Sequence, residues 1–302
     1  MSVGAGPERL HARVLEWYSH AARDLPWRSP EASPWGILVS EVMLQQTPVA
    51  RVLPVWLEWL GRWPTPVDLA KEPPGEAVRA WGRLGYPRRA LRLHAAAITI
   101  AAEHDGQVPS NEEDLLSLAG VGAYTAAAVA TFAYGHRTTV VDTNVRRVLA
   151  RAVGGEEHAP PSPTRVELAL ASSLVPEEPD RARTWSVATM ELGALVCTAR
   201  APRCDDCPIR GECAWRLAGR PPYAGPARRG QAWHGTDRQL RGALLQLLRD
   251  STDPVPRADL EALSPNDLQR ERCLDSLVSD GLVEPLPGDR FGLPGAGAAG
   301  WR

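Results

Sequence analysis

The chain has 302 residues, a net charge of −2 and 44% hydrophobic residues, which is enough for two or three domains with their own cores. No apolar run is as long as a membrane span, and the N-terminus lacks the apolar core of a signal peptide. The composition therefore argues against a membrane protein and predicts a globular, cytoplasmic one. In that compartment the five cysteines do not favour a disulfide framework.

Apolar residues recur at helical spacing through the first 220 residues, without clear period-two alternation. We therefore predict an all-α fold there, with helices at 7–22, 34–46, 49–62, 66–71, 75–83, 88–104, 111–118, 123–133, 143–153, 163–174 and 181–195. A Pro-, Gly- and Arg-rich linker is predicted at 223–236. Three short helices and a hairpin follow, in the order of a winged helix. Residues 237–302 are therefore predicted to form a small α/β module.

The stretch 118–142 combines a two-glycine turn with a carboxylate downstream. Gly120 and Gly122 stand between two predicted helices, where glycine suits a positive φ or a ligand that closely approaches the backbone. Free N–H groups at the start of the second helix can bind a phosphate. The pattern is compatible with a phosphate-binding hairpin and with an ordinary helix connection.

Positive charge is concentrated locally and consists almost entirely of arginine. Residues 77–92 contain five arginines and no acid, and residues 200–241 contain nine arginines against four acids. Such faces can neutralise phosphates, although solvated helix faces show the same pattern. Lysine occurs once, at Lys71, so the amine that a Schiff-base mechanism requires is almost absent.

Four cysteines occur in a short segment with the spacing C-x6-C-x2-C-x5-C. Four thiolates can hold a [4Fe–4S] cluster or a structural zinc ion. Zinc sites usually contain two short cysteine pairs and this segment has one, so the spacing favours the cluster without excluding zinc. The four candidate ligands are Cys197, Cys204, Cys207 and Cys213.

Two carboxylates are candidate catalytic groups. Glu41 lies within a largely apolar helix, and Asp142 follows two valines at a helix start. Structural roles are also open, because Glu41 can lie on a solvated edge of its helix and Asp142 can be an N-cap. Cleavage of a glycosidic bond needs one acid that protonates the leaving group and one carboxylate that stabilises the sugar cation.

Six motifs, in this order, resemble the helix-hairpin-helix DNA glycosylases and specifically the MutY-type adenine DNA glycosylases. They are LPWR (25–28), SEVMLQQT (40–47), GRLGY (82–86), LAGVGAYTAAAV (118–129), VDTNVRRVLAR (141–151) and the cysteine run that begins with ELGALVC (191–213). The resemblance covers about residues 10–222. It implies a six-helix barrel at 29–139 and an iron–sulfur cluster domain formed by 1–28 and 140–222. DNA is expected in the cleft between these domains, with the target base flipped out.

The resemblance also implies a role for each candidate residue. Glu41 matches the general acid that protonates adenine, Asp142 the carboxylate that stabilises the oxocarbenium ion, and Tyr124 the position of the lysine nucleophile in bifunctional relatives. The residues implied to contact the base or the DNA are Arg28, Leu44, Gln46, Tyr86, Gly120, Val121 and Gly122. Pro87 and Val187 depart from the family pattern, and the usual Nudix-like C-terminal domain is replaced by the short module.

The sequence thus predicts a monofunctional glycosylase of base excision repair that acts as a cytoplasmic, nucleoid-associated monomer. Its expected partner is double-stranded DNA with adenine opposite 8-oxoguanine or guanine. One alternative is a thymine (G:T) or oxidised-pyrimidine glycosylase of the same superfamily. Another, from a different class, is a non-catalytic iron–sulfur DNA-binding regulator. Because Lys71 is the one lysine, no lysine-dependent lyase activity is expected.

Overall fold

A computed structural model describes residues 6–223, 225 and 234–297. Its helices are α1 (Pro7–Ala21), α2 (Pro34–Leu44), α3 (Val49–Arg62), α4 (Pro66–Ala70), α5 (Pro74–Ala80), α6 (Arg88–Glu103), α7 (Glu112–Ser117), α8 (Ala123–Tyr134), α9 (Thr143–Ala152), α10 (Arg165–Ser173), α11 (Pro179–Leu195), α12 (Ala214–Leu217), α13 (Asp237–Asp250), α14 (Arg257–Glu261) and α15 (Asp267–Ser279). Short 3-10 turns cover Pro26–Arg28 and Cys204–Asp206. The prediction of an all-α fold before the C-terminal module is confirmed.

Helix boundaries follow from local side-chain chemistry. Thr65 and Thr164 each form a capping box with the acid three residues later, which satisfies N–H groups that a helix start leaves open. Helix α8 ends at Tyr134 and is capped by Gly135, whose left-handed φ of 70° is common at helix C-termini. No helix in the described part of the chain is long and apolar enough to cross a membrane.

The described chain divides into two compact units. The first contains Met1–Ile37, Ser110–Glu112 and Gly122–Ala227, and the second contains Leu38–Pro109, Glu113–Val121 and Arg228–Arg302. The domain boundaries predicted from the sequence differ from the limits of these units and stay a prediction. The predicted linker lies largely outside the described residues, since 224 and 226–233 are not among them.

Each unit has its own core. In the first, α11 packs against α1 and α9 around buried side chains such as Val14, Trp185 and Leu192. In the second, Trp59 lies edge to face with Trp63 and Trp81, with ring centroids 4.8 and 5.9 Å apart. Large aromatic side chains in this geometry contribute both buried area and a favourable ring–ring contact.

The C-terminal module belongs to the second unit. Helices α13 and α15 pack together, and strands β1 (Val255–Pro256), β2 (Glu284–Leu286) and β3 (Arg290–Gly292) form an antiparallel sheet in the order β1-β3-β2. Both outer strands pair with Phe291. The order helix, strand, two helices and hairpin is that of a winged helix, so the predicted small α/β module is confirmed.

Candidate active site and DNA interface

Helix α2 places Glu41 in a buried setting. Leu38 and Met43 on this helix are fully buried, and Glu41 itself is only 5% exposed. The carboxyl group therefore does not lie on a solvated helix edge, which was the structural alternative. A carboxyl group shielded from water is a typical position for a general acid. Leu44, the last residue of the helix, is half-buried.

A buried arginine anchors the end of this helix. Arg89 of α6 donates to the carbonyl oxygens of Val42 and Gln45, each at 2.7 Å, and to that of Gly85 at 2.8 Å. A cation at a helix C-terminus satisfies carbonyl groups that the helix leaves open. Arg89 thus fixes α2 to the 82–86 turn. From the sequence alone, Arg89 was recognisable only as one member of a basic cluster.

Gln46 and Tyr86 are brought together by this arrangement. The Tyr86 hydroxyl donates to Oε1 of Gln46 at 2.8 Å, and Tyr86 is 55% exposed. Both residues have positive φ values, 55° and 56°, which are uncommon for side chains of this size. Such backbone strain is typical of functional sites.

The two glycines of the hairpin turn differ. Gly120 has a φ of 82°, and a Cβ atom there would lie 2.8 Å from Cβ of Arg92, so the turn requires glycine. Gly122 has an extended φ of −103° and would place a Cβ in open space. A positive φ therefore explains the glycine at position 120 but not the one at 122, for which close approach of a ligand to the backbone stays a prediction. Val121 is 8% exposed, so the turn presents backbone rather than this side chain.

Asp142 is the N-cap of α9. Its Oδ1 accepts from the backbone N–H groups of Asn144 and Val145 at 2.8 and 2.7 Å, and its Oδ2 accepts from the Asn144 side-chain amide at 2.7 Å. Burial raises the pKa of Asp142, while these hydrogen bonds oppose the rise. The predicted N-cap role is thus observed, and it fixes the carboxylate in one orientation.

Tyr124 lies in the first turn of α8, in the same unit as Asp142. Its half-buried ring packs against a small core of Ala127, Ala128 and Val140. No side chain caps the start of α8.

Arg28 belongs to an ion-pair network that the sequence did not reveal. Its Nη2 donates to Oε2 of Glu191 at 2.8 Å, and Glu191 also accepts from the Arg23 guanidinium at 2.7 Å. The Glu191 side chain is fully buried. Burial opposes its ionisation, but the two arginines outweigh burial and lower the pKa of Glu191 to about 2. Nη1 of Arg28 is buried without a hydrogen-bond partner in the described structure.

The four candidate cysteine ligands line one cavity in the first unit, beside Arg151. Arg151 is 1% exposed; it donates to Sγ of Cys197 at 3.4 Å and to the Thr198 carbonyl at 2.8 Å. No His, Cys, Asp or Glu group among the described residues is arranged to hold a single metal ion. The thiol set and the adjacent cation fit a cluster whose thiolates carry negative charge.

Comparison with known proteins agrees with this geometry. Residues 39–175 match the HhH-GPD superfamily of base excision DNA repair proteins, and residues 197–213 match the iron–sulfur binding domain of endonuclease III. The structure of a thermostable thymine-DNA glycosylase is similar, with a TM-score of 0.64 and 28% identity over 70% of this chain and 97% of that chain. The fold and cysteine motif thus define a helix-hairpin-helix repair protein with an iron–sulfur cluster, and the cofactor prediction is confirmed.

Two curated relatives narrow this class. The chain is 57% identical to an adenine DNA glycosylase of Mycolicibacterium smegmatis over 95% of this chain and 97% of the relative. It is 54% identical to one of Mycobacterium tuberculosis over 97% of this chain and 96% of the relative. The chain belongs to the adenine DNA glycosylase family. The predicted family membership is confirmed.

Proposed function

We propose that this protein excises adenine from double-stranded DNA in which adenine faces 8-oxoguanine or guanine. The observation that carries the proposal is the buried Glu41, held in a helix whose end is anchored by Arg89. It is supported by the 57% identity with an adenine DNA glycosylase over nearly the whole chain. The protein would act as a monomer on chromosomal DNA in the cytoplasm.

The proposed reaction divides the chemistry between two carboxyl groups. The Glu41 carboxylic acid donates a proton to N7 of the flipped adenine, so the C1′–N9 electrons leave with a neutral base. The Asp142 carboxylate stabilises the oxocarbenium ion that remains on the sugar. Water then adds to C1′ and returns a proton to Glu41, which leaves an intact abasic site.

Arg28 is proposed to orient the adenine. Its orientation is fixed by Glu191 through the 2.8 Å bond, and its buried Nη1 lacks a protein acceptor within the described chain. A buried donor without a partner indicates an acceptor that arrives with a ligand or a water molecule. Ring nitrogens of adenine are such acceptors, and Leu44 would supply apolar contact with the base.

DNA is proposed to be held by backbone groups and by the exposed pair Gln46 and Tyr86. Gly120 and Gly122 would let a phosphate approach the backbone of the turn closely at the start of α8. Cys197, Cys204, Cys207 and Cys213 would hold a [4Fe–4S] cluster, which would supply structural support and local charge when bound. No catalytic step requires it.

The protein is proposed to be monofunctional. Lys71 caps α4, its side chain is 71% exposed, and Nζ lies 4.0 Å from Asp68. Tyr124 occupies the hairpin position proposed for a lyase nucleophile, and a phenol cannot form an imine with the abasic aldehyde. We expect no borohydride-trapped adduct with abasic DNA, and a trapped adduct at Lys71 would contradict this assignment.

Single-turnover base release from matched duplexes tests the proposal. The duplexes carry A:8-oxoguanine, A:G or G:T at one position. We expect adenine release from the first two and no thymine release from the third. Release of thymine alone would instead favour the thymine glycosylase candidate, to which the similar solved structure lends support. Tight binding without any base release would favour a regulator.

A further inference from the structure

The second unit contains a groove between the barrel residues and the C-terminal module. Its volume is about 1080 Å³, far more than a single ion would fill. One wall is formed by the residues that follow α2, the 82–87 turn and the start of α6, and the other by α13 and the end of α15. Gln46 and Tyr86 both lie in this groove.

The module is fixed against the barrel at this groove by specific contacts. Arg79 donates to the carbonyl oxygen of Ser251 at 2.8 Å, and Arg249 donates to that of Val78 at 2.9 Å. The N–H of Gly75 donates to the carbonyl of Pro294 at 2.8 Å. A Cβ at Gly75 would lie 2.7 Å from that oxygen, so the close approach depends on glycine. These contacts give the groove two defined walls.

The groove is strongly basic. Eight arginines line it against one acid, Asp280, within the described residues. Asp280 is already paired with Arg88 of the barrel at 3.1 Å and with Arg241 of the module at 2.6 Å. Basic side chains therefore greatly outnumber acidic ones along the described lining of the groove, and a groove with an excess of one charge sign focuses its field on a counter-charged ligand.

Individual arginines on both walls face solvent. Arg92 is exposed, and its aliphatic part lies against Gly120 of the hairpin turn. Arg238 is exposed in the first turn of α13 on the opposite wall. Nη2 of Arg249 is buried on the module wall without a hydrogen-bond partner in the described structure. Guanidinium groups on two facing walls suit a chain of phosphates.

We propose that the C-terminal module completes the DNA-binding surface: α13 and the 82–87 turn together bind the sugar–phosphate backbone of the substrate duplex in this groove. The module thus contacts DNA through α13, its first helix, and not through α15, the helix that precedes its hairpin. The inference rests on the proposed function for the identity of the duplex.

The test compares two variants of the module, one in which an arginine on the groove wall is replaced and one in which an arginine outside the groove is replaced. Arg238→Gln removes a groove charge and keeps a polar side chain. Arg290→Gln is the control, because Arg290 is exposed on β3 and does not line the groove. Binding of the full-length, cluster-loaded protein to an A:8-oxoguanine duplex is measured by fluorescence anisotropy across a range of salt concentrations, with thermal melting as a check on folding.

We expect Arg238→Gln to weaken binding about eightfold at about 0.1 M salt and to lower the slope of log Kd against log salt by about one, the effect of one lost phosphate contact. Arg290→Gln should match the unsubstituted protein. Equal binding and slope for all three proteins would overturn the inference, as would equal losses in both variants.

Adenine release is measured separately on the same preparations. If the unsubstituted protein released no adenine, the proposed function would fail, while the binding comparison would still decide whether the groove holds DNA. If adenine is released but Arg238→Gln binds as the unsubstituted protein does, only the groove assignment fails.

Discussion

Glu191→Gln should destabilise the protein strongly although Glu191 is not assigned to the chemistry. The substitution keeps the shape of the side chain but removes the negative charge that faces Arg23 and Arg28. The Glu191 side chain is fully buried, whereas Arg23 and Arg28 are 33% and 20% exposed. Breaking a buried pair costs about 3–5 kcal/mol. The partial exposure of both arginines favours the lower end of this range.

The pKa of Glu191 leads to the same magnitude. It is lowered from 4.5 to about 2 in the folded protein, where burial opposes ionisation and the bonds from Arg23 and Arg28 outweigh it. At about 1.4 kcal/mol for each tenfold change in proton affinity, this corresponds to about 3 kcal/mol. Because the folded-state pKa is depressed, the contribution is complete above pH 4.5 and is lost as the pH falls towards 2.

The assay is urea unfolding of the cluster-loaded protein under anaerobic conditions at neutral pH and near pH 3. We expect Glu191→Gln to lower the free energy of unfolding by about 3 kcal/mol at neutral pH and by only about 1 kcal/mol near pH 3, where the unsubstituted protein has lost most of this contribution. Glu177→Gln is the control, since Glu177 is 95% exposed and pairs with Arg137 at 3.4 Å; exposed pairs contribute little. Equal stability of the two variants at neutral pH would refute the reasoning.

Three further predictions follow from the site. Asp142→Asn should reduce the rate of single-turnover base release by about a hundredfold or more. The melting temperature should change little, because asparagine is an equally good N-cap, and a large loss of stability would contradict this prediction. Burial raises the pKa of Asp142, so the rate of base release should decline on acidification at a higher pH than an ordinary aspartate would give. A rate of base release that is constant down to pH 4 would count against a catalytic carboxylate at this position. Gly120→Ala should destabilise the protein by about 1 kcal/mol or more, because position 120 has a positive φ and an added Cβ would collide with Arg92. Gly122→Ala should leave the melting temperature unchanged and weaken duplex binding. Equal melting temperatures of the two variants would contradict the difference in backbone geometry.

Features that depend on local sequence were predictable. The apolar periodicity of α9 and the N-cap role of Asp142 depend on residues within one helical turn. The cysteine spacing indicated an iron–sulfur cluster because its ligands come from one short segment. Strand β1 was not predicted, since its two residues are too few for a periodic pattern.

Features that depend on distant contacts were not predictable. Glu191 meets Arg23 across 168 positions, and nothing in the local sequence distinguishes it from a surface glutamate. The residue types of Gln46 and Tyr86 do not predict their positive φ values, which occur next to two segments that Arg89 holds together. The sequence also could not distinguish Gly120, which the backbone requires, from Gly122, which it does not.

Single-turnover adenine release from an A:8-oxoguanine duplex by Glu41→Gln, with enzyme in excess, tests the central claim most directly. A glutamine cannot donate the proton that the leaving adenine requires, and positioned general acids contribute about a hundredfold to ten-thousandfold. We predict a loss of at least this size with unchanged duplex binding. Release at the rate of the unsubstituted protein would contradict the assignment of Glu41 as the general acid.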